Sequence, residues 1–139
     1  MDHVIRPASD EDEAAVVDLW RASGLVAPYN DPAADFRYAL GRPASDVLVV
    51  MDGAAVSGAV MVGHDGHRGW IYYLASHPDR RGQGIGRALV NAAEDWLCAR
   101  ACRKLQLMVR ETNTGVVPFY ERLGFENTPR VVMAKWLRP

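Results

Sequence analysis

Trp70-Ile71-Tyr72-Tyr73-Leu74-Ala75, followed by Arg81-Gly82-Gln83-Gly84-Ile85-Gly86 and then Ala88-Leu89-Val90, is an apolar run, a glycine-spaced turn and the start of a helical pattern. The succession predicts strand, turn and helix. Glycines let the backbone approach a ligand closely and take angles barred to side chains, so consecutive N–H groups at a helix start can converge on phosphate oxygens. The stretch therefore predicts a dock for the charged end of a nucleotide-like molecule.

Downstream, Leu89, Ala93, Trp96 and Leu97 recur at helical spacing, which predicts a long helix with one face against a sheet. A crossover of this length returns most naturally as a parallel strand, here Lys104 to Val109. Asn113-Thr114 can cap a further helix through Leu123, closed by Gly124, and Phe125 to Thr128 with Val131 to Trp136 predict a final hairpin. Upstream, Val47 to Met51, Asp52-Gly53 and Ala54 to Val62 form a strong antiparallel hairpin signal. Near the start, Val4 to Arg6 reads as a strand ended by Pro7. Ser9 with Asp12 and Glu13 opens an amphipathic helix carrying Ala15, Val16, Leu19 and Trp20. Asn30-Asp31-Pro32 opens a second helix running to about Gly41. The apolar loop between them, Leu25 to Tyr29, is suited to line a pocket, with Tyr29 either a substrate contact or a packing plug.

At 139 residues, without internal repeat or flexible linker, the chain predicts one domain spanning 1–139. Sixteen Lys+Arg against seventeen Asp+Glu give a net charge of -1, which supplies no global field for DNA, RNA or an anionic membrane. Any anion site must be local. The first residues turn acidic at once and lack a long apolar core, so cytoplasmic residence is the expectation. Cys98 and Cys102 do not match Cys-x-x-Cys and have no histidine pair beside them; partly buried thiols are expected, and no metal.

The element order and Arg81-x-x-Gly84-x-Gly86 at the head of the long helix resemble the GCN5-related N-acetyltransferase (GNAT) family. Asp65-Gly66-His67-Arg68-Gly69, His77-Pro78, the glycine turn and Tyr120-Glu121-Arg122-Leu123-Gly124-Phe125 are similar to the YpeA-type bacterial acetyltransferases. The resemblance implies an α/β fold: a mixed, mostly antiparallel sheet with a central, splayed parallel strand pair, flanked by about four helices. It also implies acetyl transfer from acetyl-CoA to an amine. The expected acceptor is a small molecule, a peptide amino terminus or a lysine, and the protein is expected to be a monomer or homodimer without nucleic-acid or membrane partner.

By that resemblance the N–H groups of Gly82, Gln83, Gly84, Ile85 and Gly86 hold the pyrophosphate, with Arg81 alongside. Leu74, Ala75 and Ser76 carry the pantetheine and thioester, and an N–H near Leu74 polarises the acetyl carbonyl. Asn113 matches a position that contacts the cofactor arm, or serves simply as a helix cap. Tyr120 matches the tyrosine near the cofactor sulfur and is the expected general acid for the departing thiolate.

An attacking amine must be neutral, so a proton acceptor is needed unless the amine arrives deprotonated. In acetyltransferases of protein N-termini a glutamate can stand on the strand after the long helix, where this chain has Met108, which weakens assignment to that substrate class. Glu111, three residues on, is a candidate base, substrate contact or solvated charge. Asp65, His67 and Arg68 offer a second acid/base or amine-recognition set, the alternative being a loop built for tight turns. Tyr72 and Tyr73, on opposite sides of an extended strand, are expected to divide between acceptor cavity and helix packing. Transfer of a longer acyl group, a non-amine acceptor, or a CoA-binding domain without catalysis are the alternatives. A dinucleotide dehydrogenase is disfavoured, because the turn reads Gly82-x-Gly84-x-Gly86 rather than Gly-x-Gly-x-x-Gly.

Overall fold

A computed structural model describes residues 3–138. The strands are β1 (Val4–Pro7), β2 (Ser45–Asp52), β3 (Ala55–His64), β4 (Gly69–Ser76) and β5 (Leu105–Gln106); the helices are α1 (Glu13–Ala22), α2 (Pro32–Ala39), α3 (Ile85–Cys98) and α4 (Val117–Arg122). Sheet order follows the chain, β1-β2-β3-β4-β5, antiparallel until the last pair, where β4 and β5 run parallel. The chain divides into two compact units, Met1–Met108 and Val109–Pro139.

In the first unit each element begins where its chemistry directs. The Asp31 Oδ1 accepts from the N–H groups of Ala33 (3.1 Å) and Ala34 (3.2 Å), and Pro32, which has no N–H to satisfy, follows at the first helical position. The β2–β3 turn closes with Gly53 at φ 62°, a left-handed angle suited to glycine. Helices α1 and α2 pack on one face of the sheet, where Val16, Leu19, Trp20, Phe36 and Ala39 meet Val47, Val49, Ala59 and Ala75. The other face takes α3, whose Ile85, Leu89, Val90, Ala93 and Leu97 are buried. With helices on both faces, Val47 to Val50 are buried without alternation, as in strands covered on two sides.

One glycine sets the spacing of α3 against the sheet. A Cβ on Gly58 of β3 would stand 2.5 Å from Ile85 Cγ2 and 3.2 Å from the Ala75 carbonyl oxygen. The bare backbone there lets the first turn of α3 press down onto β3.

The second unit departs from the sequence expectation. Val117–Arg122 is helical, but its N-cap is Val116 with no side-chain hydrogen bond. Asn113 sits instead inside a 3-10 stretch, Glu111–Val116, with non-helical angles (φ -125°, ψ 35°), and so does not cap α4. Residues 125–138 form no strand, and Val131, Met133 and Leu137 are exposed. An apolar run such as Val131 to Ala134 supplies a surface, whereas a strand needs a hydrogen-bonded ladder, and Pro129 removes a donor from the middle of the segment. The expected strand from Lys104 to Val109 is likewise reduced to the two residues of β5.

Candidate active site

Between β4 and α3 the chain makes a 3-10 turn, Pro78–Arg80, and then the glycine segment. Gly82 and Gly84 take φ of 81° and 77°, which side chains resist. A Cβ at Gly82 would meet nothing within 4 Å, so its surroundings are open, and the glycine is required by backbone angle rather than by crowding. Gly84 is the N-cap of α3; it provides no side-chain cap, and the first turn holds no acidic residue. The leading N–H groups of a 14-residue helix thus have no carboxylate of their own. That arrangement fits a phosphate ester: the donors and the positive helix end are present, and the protein supplies no competing anion.

The turn is held from afar. His3 Nε2 lies 2.8 Å from the Gln83 carbonyl oxygen, and since a carbonyl only accepts, this ring nitrogen carries the proton. A trans peptide plane sends its C=O and the following N–H in opposite directions, so fixing the Gln83 carbonyl also aims the Gly84 N–H. Arg80 pairs with Asp52 at the tip of the β2–β3 hairpin, which ties down the preceding turn. Arg81 is exposed and extended, next to the glycines.

The second component is β4. It pairs with β5 only through Gly69↔Leu105 and Trp70↔Gln106. From Ile71 to Ser76, including Leu74 and Ala75, the edge turned away from β3 has no strand partner among the described residues. On the β3 side the register passes from Met61↔Tyr72 to Ala59↔Ala75, so Tyr73 and Leu74 together oppose Val60. This is a β-bulge. Tyr73 takes φ 57°, a left-handed conformation costing on the order of 1 kcal/mol or more in a non-glycine residue. Its ring stacks on Trp20 at a centroid distance of 4.1 Å, and its Oη donates to Asp35 Oδ2 at 2.7 Å.

The bulge bears on the expected division of Tyr72 and Tyr73: Tyr73 packs against α1 through Trp20, as one of the pair was expected to, and it also faces a cavity. Alternation fails where φ turns positive, and both tyrosines line one pocket of about 250 Å³, together with Asn30, Asp35, Tyr38, Ala39 and Met61. Burial raises the Tyr72 phenol above its ordinary range, with a smaller push from the Asp65 carboxylate. The α1–α2 loop lines a separate cleft of about 350 Å³ through Val26, Ala27 and Pro28, with Arg21, Gly24 and Asn30. Tyr29 lines neither and is 67% exposed.

Asp65, His67 and Arg68 lie before β4, at the opposite end from the glycine turn; eight strand residues separate the two ends by roughly 20 Å. Asp65 Oδ1 accepts from the backbone N–H groups of His67 (2.9 Å) and Arg68 (2.7 Å), and Oδ2 from Trp70 Nε1 (3.2 Å). These donors hold its carboxyl below the usual range. The carboxylate meets the His67 backbone, not its ring, so it organises the loop instead of orienting an imidazole.

Within the second unit, Tyr120 packs edge-on against Phe119 and Phe125, with ring centroids at 5.0 and 5.6 Å. Burial raises its phenol above the ordinary range, so it stays protonated well past neutral pH. Glu111 and Asn113 lie in the exposed 3-10 stretch before it. Among the described residues no group of His, Cys, Asp and Glu could hold a metal, and no helix is long and apolar enough to cross a membrane.

Sequence reasoning missed His3, Asp35 and Asn30. His3 and Asp35 act across 80 and 38 residues of chain, with no local motif to mark them. Asn30 looked like part of a helix start, which hid its place on both cavities.

Known proteins resemble this chain in sequence and in fold. The profile of the Acetyltransferase (GNAT) family matches residues 13–125. Acetyltransferase ECA0875 of Pectobacterium atrosepticum is 42% identical over 133 residues, covering 96% of this chain and 94% of the relative. Among solved structures, the aminoglycoside N-acetyltransferase AAC(6')-Iy in complex with CoA superposes with a TM-score of 0.83 at 18% identity, over 99% of this chain and 96% of that one. The same enzyme with a bisubstrate analogue, CoA-S-monomethyl-acetylneamine, gives 0.82 at 18% identity, over 98% and 99%. Profile and relative together establish what the glycine turn and the parted β4 edge suggested: the chain is an acetyltransferase of the GNAT family, whose acetyl donor is acetyl-CoA.

Proposed function

We propose that the protein transfers the acetyl group of acetyl-CoA to a primary amine by direct attack in a ternary complex, residues 1–139 acting as one domain. The observation that carries this reading is the junction of two features in one stretch of chain: the β4 edge without a partner strand from Ile71, and the uncapped start of α3 at Gly84. In this reading Gly82 to Gly86 hold the pyrophosphate, with Arg81 as a flanking charge, and Leu74 to Ser76 bind the pantetheine arm through backbone groups. Bound there, the thioester supplies an activated acetyl carbonyl. The N–H near Leu74, presented by the bulge, stabilises negative charge on that carbonyl's oxygen. The pocket beside Tyr72 and Tyr73 holds the acceptor close enough to make attack effectively intramolecular.

Tyr120 is assigned the role of donating a proton to the leaving thiolate, Glu111 that of candidate proton acceptor and Asn113 that of a contact to the cofactor arm. These three roles rest on the family resemblance, and the protonated Tyr120 phenol is compatible with its own. A small-molecule acceptor is favoured by the modest size of the pocket, about 250 Å³, and by the aminoglycoside acetyltransferases of the same fold. Cytoplasmic residence accords with use of acetyl-CoA.

Calorimetric titration with acetyl-CoA, CoA and NAD tests the cradle. Acetyl-CoA and CoA are expected to bind at micromolar or tighter affinity, about 8 kcal/mol, and NAD to fail. A folded sample that ignores CoA, or prefers NAD, overturns the assignment. Release of free thiol on adding an amine then tests the transfer.

A further inference from the structure

We propose that the pocket lined by Asp35, Tyr38, Tyr72 and Tyr73 binds a second, non-reacting ammonium group of the acceptor, so that the natural acceptors are diamines or polyamines. The inference rests on the acetyl-transfer reading and adds to it a substrate class. Asp35 is the acid of this pocket, and its two oxygens have different duties. Oδ2 accepts from Tyr73, whose ring is clamped by the Trp20 stack and by its left-handed backbone. Oδ1 makes no hydrogen bond among the described residues and is left to a ligand. Arg37, two residues along α2, is engaged elsewhere, donating to both carboxylate oxygens of Glu13 at 2.7 and 2.8 Å.

A carboxylate flanked by phenol rings suits an ammonium, through the ion pair and through cation–π attraction. The same pairing decides which amine reacts. A carboxylate close to an amine favours its protonated form, and a protonated amine has no lone pair with which to attack a thioester. The nitrogen held at Asp35 is therefore an anchor, and the nucleophile is a different nitrogen on the same molecule. Tyr73 of the pocket is followed in the chain by Leu74, beside which the acetyl-transfer reading places the thioester, so a short linker would carry the second nitrogen toward it. Ala39 and Met61 supply apolar surface for that linker's methylenes.

The test uses putrescine and its monoamine counterpart butylamine with the full-length protein. Calorimetry reads acceptor binding without chemistry: putrescine should bind wild type at least about tenfold more tightly than butylamine, and Asp35→Asn should abolish that preference, the size expected for losing one charged hydrogen-bonded partner. Acetyl-CoA affinity should be unchanged in the variant, which shows that it is folded. In turnover, Asp35→Asn should lower kcat/KM for putrescine at least about tenfold more than it lowers kcat/KM for butylamine. Equal binding of the two amines to wild type, or a preference that survives Asp35→Asn, overturns the proposal. Bound putrescine with no acetylation of any amine would instead strike the acetyl-transfer reading, leaving the anchoring site supported.

Discussion

His3 and Tyr120 each carry a prediction that a single side-chain change can test. His3 fixes one carbonyl of the glycine turn, and its loss should leave the fold intact while loosening the turn. We expect His3→Ala to weaken CoA binding about five- to tenfold, the worth of one hydrogen bond, and His3→Gln, which retains a donor, to recover part of it. Unaltered affinity in His3→Ala would remove the residue from the cradle. Tyr120→Phe should lower acetyl transfer by about a hundredfold or more with little change in acetyl-CoA affinity. In wild type the phenol must be protonated to act as the proposed acid, and burial raises its pKa, so the alkaline fall in rate that belongs to it should lie above that of an unburied tyrosine. A phenylalanine variant with full turnover across pH would sink the assignment. Tyr120 and the glycines could be singled out in the sequence because their neighbours mark them, whereas Asp35 becomes visible only when folding delivers Tyr73 to it.

Elements place the site through close packing and broken pairing. Gly58 lies under the first turn of α3, against Ile85, a β-branched residue with few rotamers in a helix. Gly58→Ala should therefore lift the helix start, destabilising the fold by about 1–3 kcal/mol and weakening CoA binding; urea unfolding and calorimetry on one preparation measure both. A variant as stable and as tight as wild type would show that the spacing is not critical. The β2–β3 hairpin and α3 were readable from local signals, a turn residue pair and a 3.6-residue period. The bulge at Tyr73 was not, because nothing local announces that two residues will face one across a ladder. The final hairpin was expected from two short segments after Gly124, and such segments do not specify the partner strand that would cover them.

For the whole molecule, one ion pair at a largely buried carboxylate makes a marked contribution to acid stability. Arg6 of β1 donates to both oxygens of Asp12, at 2.7 and 3.0 Å, and the Ser9 N–H adds a third bond at 2.8 Å. Arg6 above all holds the Asp12 carboxyl down to about 2 from 3.8, at a side chain only 11% exposed. A depressed carboxylate contributes stability that is present above pH 4 and is lost as pH falls toward 2; the shift corresponds to about 2 kcal/mol. Asp12→Asn should accordingly cost about that much at pH 7, and the gap from wild type should close near pH 2. A gap that stays constant with pH would show that packing, not charge, is at stake. The family and the order of elements were legible at this scale because they follow chain order, and sheet order does the same.

The reach of His3 to Gln83 has a practical side. Any purification tag or leader fused ahead of Met1 is tethered two residues before a side chain that touches the glycine turn, a span of at most about 7 Å. Histidine-rich tags would bring spare imidazoles to the place where His3 works and distort CoA titrations, so affinities are best taken on protein tagged at the other end or cleaved free of its tag.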